Sequence, residues 1–400
     1  MNVNGPTVSV FVLICCVACI LFRVIYGRGY DRWIPSYLRR AAMRRTSASR
    51  PREIHVLLCI ADHFEPGHGG ATGEAALARV NTWVREYPAR FGAFQDSDGR
   101  SPRHTFFYPI EMYVPEHLDL LATLCRAGHG EVELHLHHDD DTAENLRATL
   151  LGAVDELRTA HGVFASSRRD GRAAYAFVHG NWALDNSRPD GKWCGVNNEL
   201  DVLRETGCYA DFTFPSAPSR TQPRKINSIY YAVDDPERPR SHDHGLDVGA
   251  GRPPADSLMI IQGPLLLDWK RRRWGLVPGT ENGCLQSSQP PHIDRLELWL
   301  KAGVRVPARP DWFFVKLHAH GAPEESHEAL LGAPMVQFHQ ALANRSLRDP
   351  AFHYHYVTAR EMYNLAKAAE AGWTGSVAEA LDYQLVWQPQ PCGDSVPASR

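Results

Sequence analysis

The chain has 400 residues, 44% hydrophobic and 22% charged, which excludes disordered, collagen-like and coiled-coil chains and leaves a globular protein with a core-sized apolar supply. Its 43 Lys+Arg against 46 Asp+Glu give a formal charge of -3, so no basic field invites nucleic acid. Of the 9 cysteines, Cys15, Cys16 and Cys19 lie inside an N-terminal apolar run, and the other six are scattered with no C-x-x-C pair among them, which excludes a zinc ribbon and argues against a disulfide framework at this length; they read as reduced core thiols.

In chain order, Val8 to Phe22 is almost wholly apolar, and Val24–Tyr26 extends the run past Arg23. That is long enough to cross a bilayer if Arg23 snorkels. No Lys or Arg precedes the run, so it lacks the basic start of a cleavable signal peptide, and residues 1–27 read as an uncleaved single-pass transmembrane helix. Arg23, Arg28, Arg32, Arg39, Arg40, Arg44 and Arg45 all follow the start of the span, so the positive-inside rule places the bulk of the chain in the cytoplasm. Residues 28–53 read as a basic juxtamembrane linker able to lie against anionic headgroups.

Beyond it, short apolar runs alternate with helical patterns. Strands are predicted at His55–Ala61, Thr105–Pro109, Glu131–His137, Ala174–His179, Ala210–Phe214, Leu258–Gln262, Trp312–His318 and His355–Thr358. Helices are predicted at Glu74–Arg90, Pro115–Ala127, Thr142–His161, Asn198–Thr206, His292–Ala302, Pro323–Ala343 and Ala359–Ala369. This alternation predicts an α/β fold of parallel strands with crossovers, and seven or eight such units predict a closed (β/α) barrel over residues 54–371. Residues 216–256 read as an excursion over the surface, and 372–400 as a C-terminal extension.

Active sites of such folds gather where the strands end. The first strand stops at Asp62-His63-Phe64-Glu65-Pro66. In the third, EVELHLHHDDD, period two sends Val132, Leu134 and Leu136 toward covering helices and Glu131, Glu133, His135 and His137 the other way. The fourth ends at His179, with Trp182 just beyond, and the seventh carries Lys316, His318 and His320 on one face. Imidazole and carboxylate converging on one rim suit zinc or another first-row divalent ion, with about three ligands and an open position for water. Hydrolysis also needs a base and an acid, for which Asp62 and His318 stand. His138, Asp140 and Asp141 read as solvent-facing residues capping the next helix. His129 reads as a turn residue, and His242 and His244 as solvated.

The motif order resembles the polysaccharide deacetylases with NodB homology, over roughly residues 54–370. That resemblance implies a metal-dependent enzyme on a distorted, usually seven-stranded (β/α) barrel. The family's first strand ends in two adjacent acids, a base and then a ligand, and here the pair is Asp62-His63. Its His-x-x-x-His motif is matched by GHGEVELHLHHDD, which supplies His135; Asp139 stands four further on, and His137 is the alternative. Its late Leu-His, which protonates the leaving amine, is matched by Leu317-His318, while VHGNWAL stands where the family's Arg-Pro steers the base. The resemblance thus implies His63, His135 and either His137 or Asp139 as metal ligands, and Asp62 and His318 as catalytic residues. His179, Trp182 and His320 are expected to line the substrate site, with Trp182 as a stacking platform. The expected cofactor is a divalent metal, zinc foremost. The expected activity removes acetyl groups from N-acetylated (or O-acetylated) glycans in envelope or exopolysaccharide biosynthesis. The expected partners are an acetylated polysaccharide or lipid-linked glycan and, through the N-terminal helix, the bilayer. Two alternatives stand beside it: an amidohydrolase-type metal hydrolase, suggested by His135-x-His137, and an inactive glycan-binding barrel at the membrane.

Overall fold

In the computed structural model, which describes residues 15, 16, 19, 22–46, 51–273 and 275–388, the β-branched and aromatic runs become the strands of one large sheet. In chain order the strands are β1 (Ile54–His63), β2 (His104–Pro109), β3 (Gly130–Leu136), β4 (Ala165–Ser167), β5 (Ala173–His179), β6 (Cys208–Asp211), β7 (Ile229–Val233) and β8 (Leu246–Asp247). They continue with β9 (Ser257–Ile261), β10 (Leu266–Arg273), β11 (Val277–Glu281), β12 (Cys284–Leu285), β13 (Trp312–Ala319), β14 (Phe352–Tyr356) and β15 (Leu385–Val386). The main sheet has 13 strands in the order β12-β13-β1-β2-β3-β5-β6-β9-β7-β8, with β14 beside β1, β4 beside β5 and β15 beside β4. Its centre is parallel, and only β4, β7, β8 and β15 pair antiparallel.

The closed barrel of seven or eight parallel strands is therefore corrected: the sheet is an open path that ends at β12 and β8. The cause lies in residues 216–256, which do more than skirt the surface. They return as β7, which pairs antiparallel with the whole of β9 from Ile229↔Ile261 to Val233↔Ser257 and occupies the edge a closing strand would need. At the other end, β12 meets β13 only at His318 and Ala319, and the chain before it is spent on the separate β10–β11 ribbon.

Register sorts the side chains into two faces. On the outer face Phe106, Val132 and Leu134 pack with Trp83, Leu118 and Leu146 from the helices Gly73–Phe91, Pro115–Leu124 and Ala143–His161. On the inner face Leu57, Cys59, Ala61, Phe107 and Val178 pack with Met362 and Leu365 of the helix Ala359–Glu370.

The anchor expected over residues 1–27 falls largely outside the described residues, and among the described residues no helix is long and apolar enough to cross a membrane. The transmembrane helix, the bilayer as partner and the cytoplasm-facing single-pass placement are corrected accordingly. Within the basic stretch, Tyr30–Thr46 forms a helix whose Trp33 and Tyr37, one turn apart, are buried against Ala217, Leu265, Leu266 and Ala302. Arg32 donates from Nε to the Gln222 carbonyl at 2.8 Å and pairs with Asp243, so this helix spends its contacts on the protein. Trp33 is 0% exposed, and Trp33→Ala is expected to destabilise the fold by about 3–5 kcal/mol. Urea midpoints and faster tryptic cleavage at Arg39 and Arg40 check this; unchanged values of both would show that the helix contributes nothing to the folded body.

Candidate metal centre

Strand pairing brings distant imidazoles to one place. His63 lies opposite Phe107, Pro109 opposite His135, and Ala61 opposite His318, so all three histidines share the inner face at the carboxyl ends of β1, β3 and β13. Alternation beyond β1 carries Glu65 to the same side. His63, Glu65 and His135 are buried, and each offers a ligand atom within 4.8 Å of the others. The His63 and His135 rings stand edge to face at 4.9 Å. Glu65 Oε1 lies 3.6 Å from His135 Nε2 and 3.7 Å from His137 Nε2.

Three features fit this group to a metal ion. His63 Nδ1 and both ring nitrogens of His135 are buried without a hydrogen-bond partner, where such atoms are normally paired. Burial and then the neighbouring imidazoles hold both side chains well below the ordinary histidine value, which leaves them in the unprotonated form that a metal requires. Space is also reserved: a Cβ on Gly180 would stand 2.5 Å from His135 Nε2 and 2.4 Å from His137 Cδ2. Gly180→Ala is accordingly expected to displace His135 and weaken metal binding by about 10–100-fold with little loss of thermal stability, as a titration with zinc would measure. Unchanged affinity in that variant would place the ion elsewhere. The chain thus contains groups of His, Glu and Cys that could hold a metal ion.

Around the group, Trp182 stacks on His63 at 4.6 Å and meets His318 edge-on at 5.1 Å. Its φ of 61° is a left-handed conformation rare for an aromatic residue, of the kind that clusters at functional sites. His320 is half-buried with its ring 4.7 Å from His63. His318 is buried with Nδ1 unpartnered; burial, Lys316 and His320 hold it well below the ordinary value. Lys316 itself is a buried amine without a partner, pushed down to about 8 by burial against the pull of Asp211. A cavity of about 700 Å³ opens alongside, lined by Pro66, Gly67, Glu111, Met112 and Tyr113.

The other expected site residues are placed differently. His137 is half-buried and held by Glu111 through Nδ1; burial alone would lower its pKa, but Glu111 and Glu65 raise it, so it favours its protonated form. Asp62 pairs in register with Phe106, on the outer face, away from His63. It is 0% exposed, with Oδ1 accepting from the Gly321 amide at 2.6 Å and Oδ2 at 2.8 Å from His104 Nε2. Trp83 donates to the Gly321 carbonyl at 2.8 Å, which completes a pin on the loop after β13. Asp139 is exposed and accepts from the Trp193 and Asp140 amides, clear of the cluster. His179 pairs with Leu136 on the outer face and joins a different group, with His138, Cys194 and Glu199. His138 is therefore not the solvent-facing cap its neighbours suggested, and His242, expected to be solvated, is 0% exposed and stacked on Phe214.

Glu65, His104, Cys194 and Glu199 escaped the sequence reading. Glu65 alone had a local signal, since it recurs two residues after His63. The other three reach their partners only through strand pairing and the loop after β5. Comparison with protein-family models and with curated proteins finds no match.

Proposed function

We propose that the chain is a metal-dependent hydrolase that removes acetyl groups from N-acetylated (or O-acetylated) glycans. The observation that carries this is His135, buried with both ring nitrogens unpartnered beside His63 and Glu65, in a set of two imidazoles and a carboxylate. The motif order shared with the polysaccharide deacetylases supports the substrate class. When bound there, a divalent ion, zinc foremost, would supply Lewis acidity for the acyl oxygen and the attacking water.

The rest falls to the chain's own side chains. His63, Glu65 and His135 hold the ion. His318, buried and held in its unprotonated form, takes the proton from the attacking water and then delivers it to the leaving nitrogen or oxygen, with His320 half-buried beside His63 on the same face. Trp182, seated across His63 and His318, is the wall against which a sugar ring packs. Asp62 is a positioning residue: by holding the Gly321 amide it sets the strand end that carries both histidines.

The test pairs metal analysis of the full chain with acetate release from N-acetylglucosamine oligomers. His135→Ala is expected to lower the metal content and abolish acetate release. Acetate release that survives the substitution, or its absence from the metal-loaded native chain on both N- and O-acetylated glycans, would overturn the reading.

A further inference from the structure

On the outer face, at the ends of β3 and β5, stands the second group. His138 follows β3, His179 closes β5, Cys194 lies in the loop 180–198, and Glu199 is the first residue of the helix Glu199–Glu205. Each offers a ligand atom, and all four atoms lie within 4.8 Å of one another. Glu199, Cys194 and His179 are all 0% exposed. Glu199 Oε1 is 3.2 Å from His138 Nε2 and 3.9 Å from His179 Nε2, and Cys194 Sγ is 3.3 Å from Glu199 Oε2.

Hydrogen bonding accounts for part of this arrangement: Cys194 Sγ accepts from the Asn186 amide at 3.3 Å and Glu199 Oε2 accepts from the Asp185 amide at 2.5 Å, but the pairing of the imidazoles is incomplete. His179 Nε2 is fully buried and has no partner, which leaves a polar atom desolvated without return. A thiol is a weak partner for a buried carboxylate. The loop that delivers Cys194 has no helix or strand of its own and holds Trp182, Asp185, Asn186 and Trp193 at positive φ. Strained conformations of that kind persist where surrounding structure over-determines them, and a tie joining two strand ends, the loop and the next helix supplies such a determinant.

We propose that His138, His179, Cys194 and Glu199 form a second, structural metal site of the zinc type. Two imidazoles, one thiolate and one carboxylate make a closed four-ligand set, as structural sites have, in contrast to the open three-ligand set on the inner face. On binding, Cys194 loses its thiol proton to solvent and Glu199 exchanges its contact with Cys194 for the ion. The ion then fixes the loop that carries Trp182 over the first site. The proposal does not depend on the activity assigned to that site.

Cobalt is the discriminating probe, because among the described residues this is the group of candidate ligands that contains a sulfur. The full native chain loaded with cobalt is expected to show a thiolate-to-cobalt charge-transfer band in the near ultraviolet. His135→Ala should keep the band, while Cys194→Ser should lose it together with one metal equivalent. His179→Ala should lose the same equivalent. The proposal is overturned if the native chain shows no such band, or if Cys194→Ser retains both the band and the native zinc content. The native measurement stands even if Cys194→Ser does not fold. A chain in which His135→Ala changes neither metal nor activity, but Cys194→Ser loses band and ion, would sink the reading of the first site and leave this one intact.

Discussion

His318→Ala is expected to lower kcat for acetate release by about 10²- to 10⁴-fold, the range of a general acid or base, while leaving metal content near native. Asp62→Asn is expected to keep most of the turnover. The contrast follows from strand register. His318 sits opposite Ala61 on the inner face with an unpartnered ring nitrogen, whereas Asp62 sits opposite Phe106 on the outer face with both oxygens engaged. In Asp62→Asn the amide oxygen still accepts from Gly321, and the amide nitrogen donates to His104 once that ring changes tautomer. Asp62→Ala removes both contacts and should cost stability as well as activity, because the Gly321 loop is released. A fall of about 10²-fold or more in kcat for Asp62→Asn with unchanged thermal stability would make Asp62 the base after all. Substrate saturation curves separate the roles further: a positioning loss in Asp62→Ala should appear in both kcat and KM.

Arg360→Met is expected to destabilise the fold by about 3–5 kcal/mol, because it leaves a carboxylate buried without its partner. Arg360 is 4% exposed, and its Nε and Nη2 donate to the two oxygens of Glu131 at 2.9 and 2.7 Å. Its Nη1 reaches the Leu385 carbonyl at 2.9 Å, which ties β15 to the base of the inner core. Adding Glu131→Leu to Arg360→Met should recover part of the loss, since it is the orphaned charge that is costly. Equal midpoints for the single and double variants in urea would refute that account. Glu361, next in sequence, adds a pH dependence. Burial pushes its carboxyl up, but Arg100, Arg103 and Arg360 outweigh burial and hold it down to about 2. Its contribution is therefore complete above the ordinary value of 4.5 and is lost as pH falls through about 2. Arg360→Met should show a smaller loss of stability across that acid range.

Much of this molecule was legible before the strands were paired. β1, β2, β3, β5 and β13 lie within a few residues of the apolar runs that predict them, because parallel strands buried on both faces read as short, near-continuous apolar stretches. The helix expected over Pro323–Ala343 is two, Glu324–Leu330 and Ala333–Arg348. Its break is at Gly332, where a Cβ would stand 2.3 Å from the Glu328 carbonyl oxygen, with Pro334 just inside the second helix. Residues 216–256 hid β7 and β8 because their proline and charge content outweighs two short apolar runs.

By itself the sequence determined that histidines stand at the ends of β1, β3 and β13, and that neighbours along each strand look opposite ways. Those are local properties of an extended backbone. At the end of β1 only the tertiary structure decided which way each looks: the pairing of Asp62 with Phe106 and of His63 with Phe107 sent one into the outer core and the other to the metal group. Only the pairing of β7 with β9 left the sheet open, since an edge strand's hydrogen bonds can be taken by any segment that reaches them. The gathering of His138, His179, Cys194 and Glu199 was decided in the same way, by contacts between residues too far apart in the chain for any local period to join.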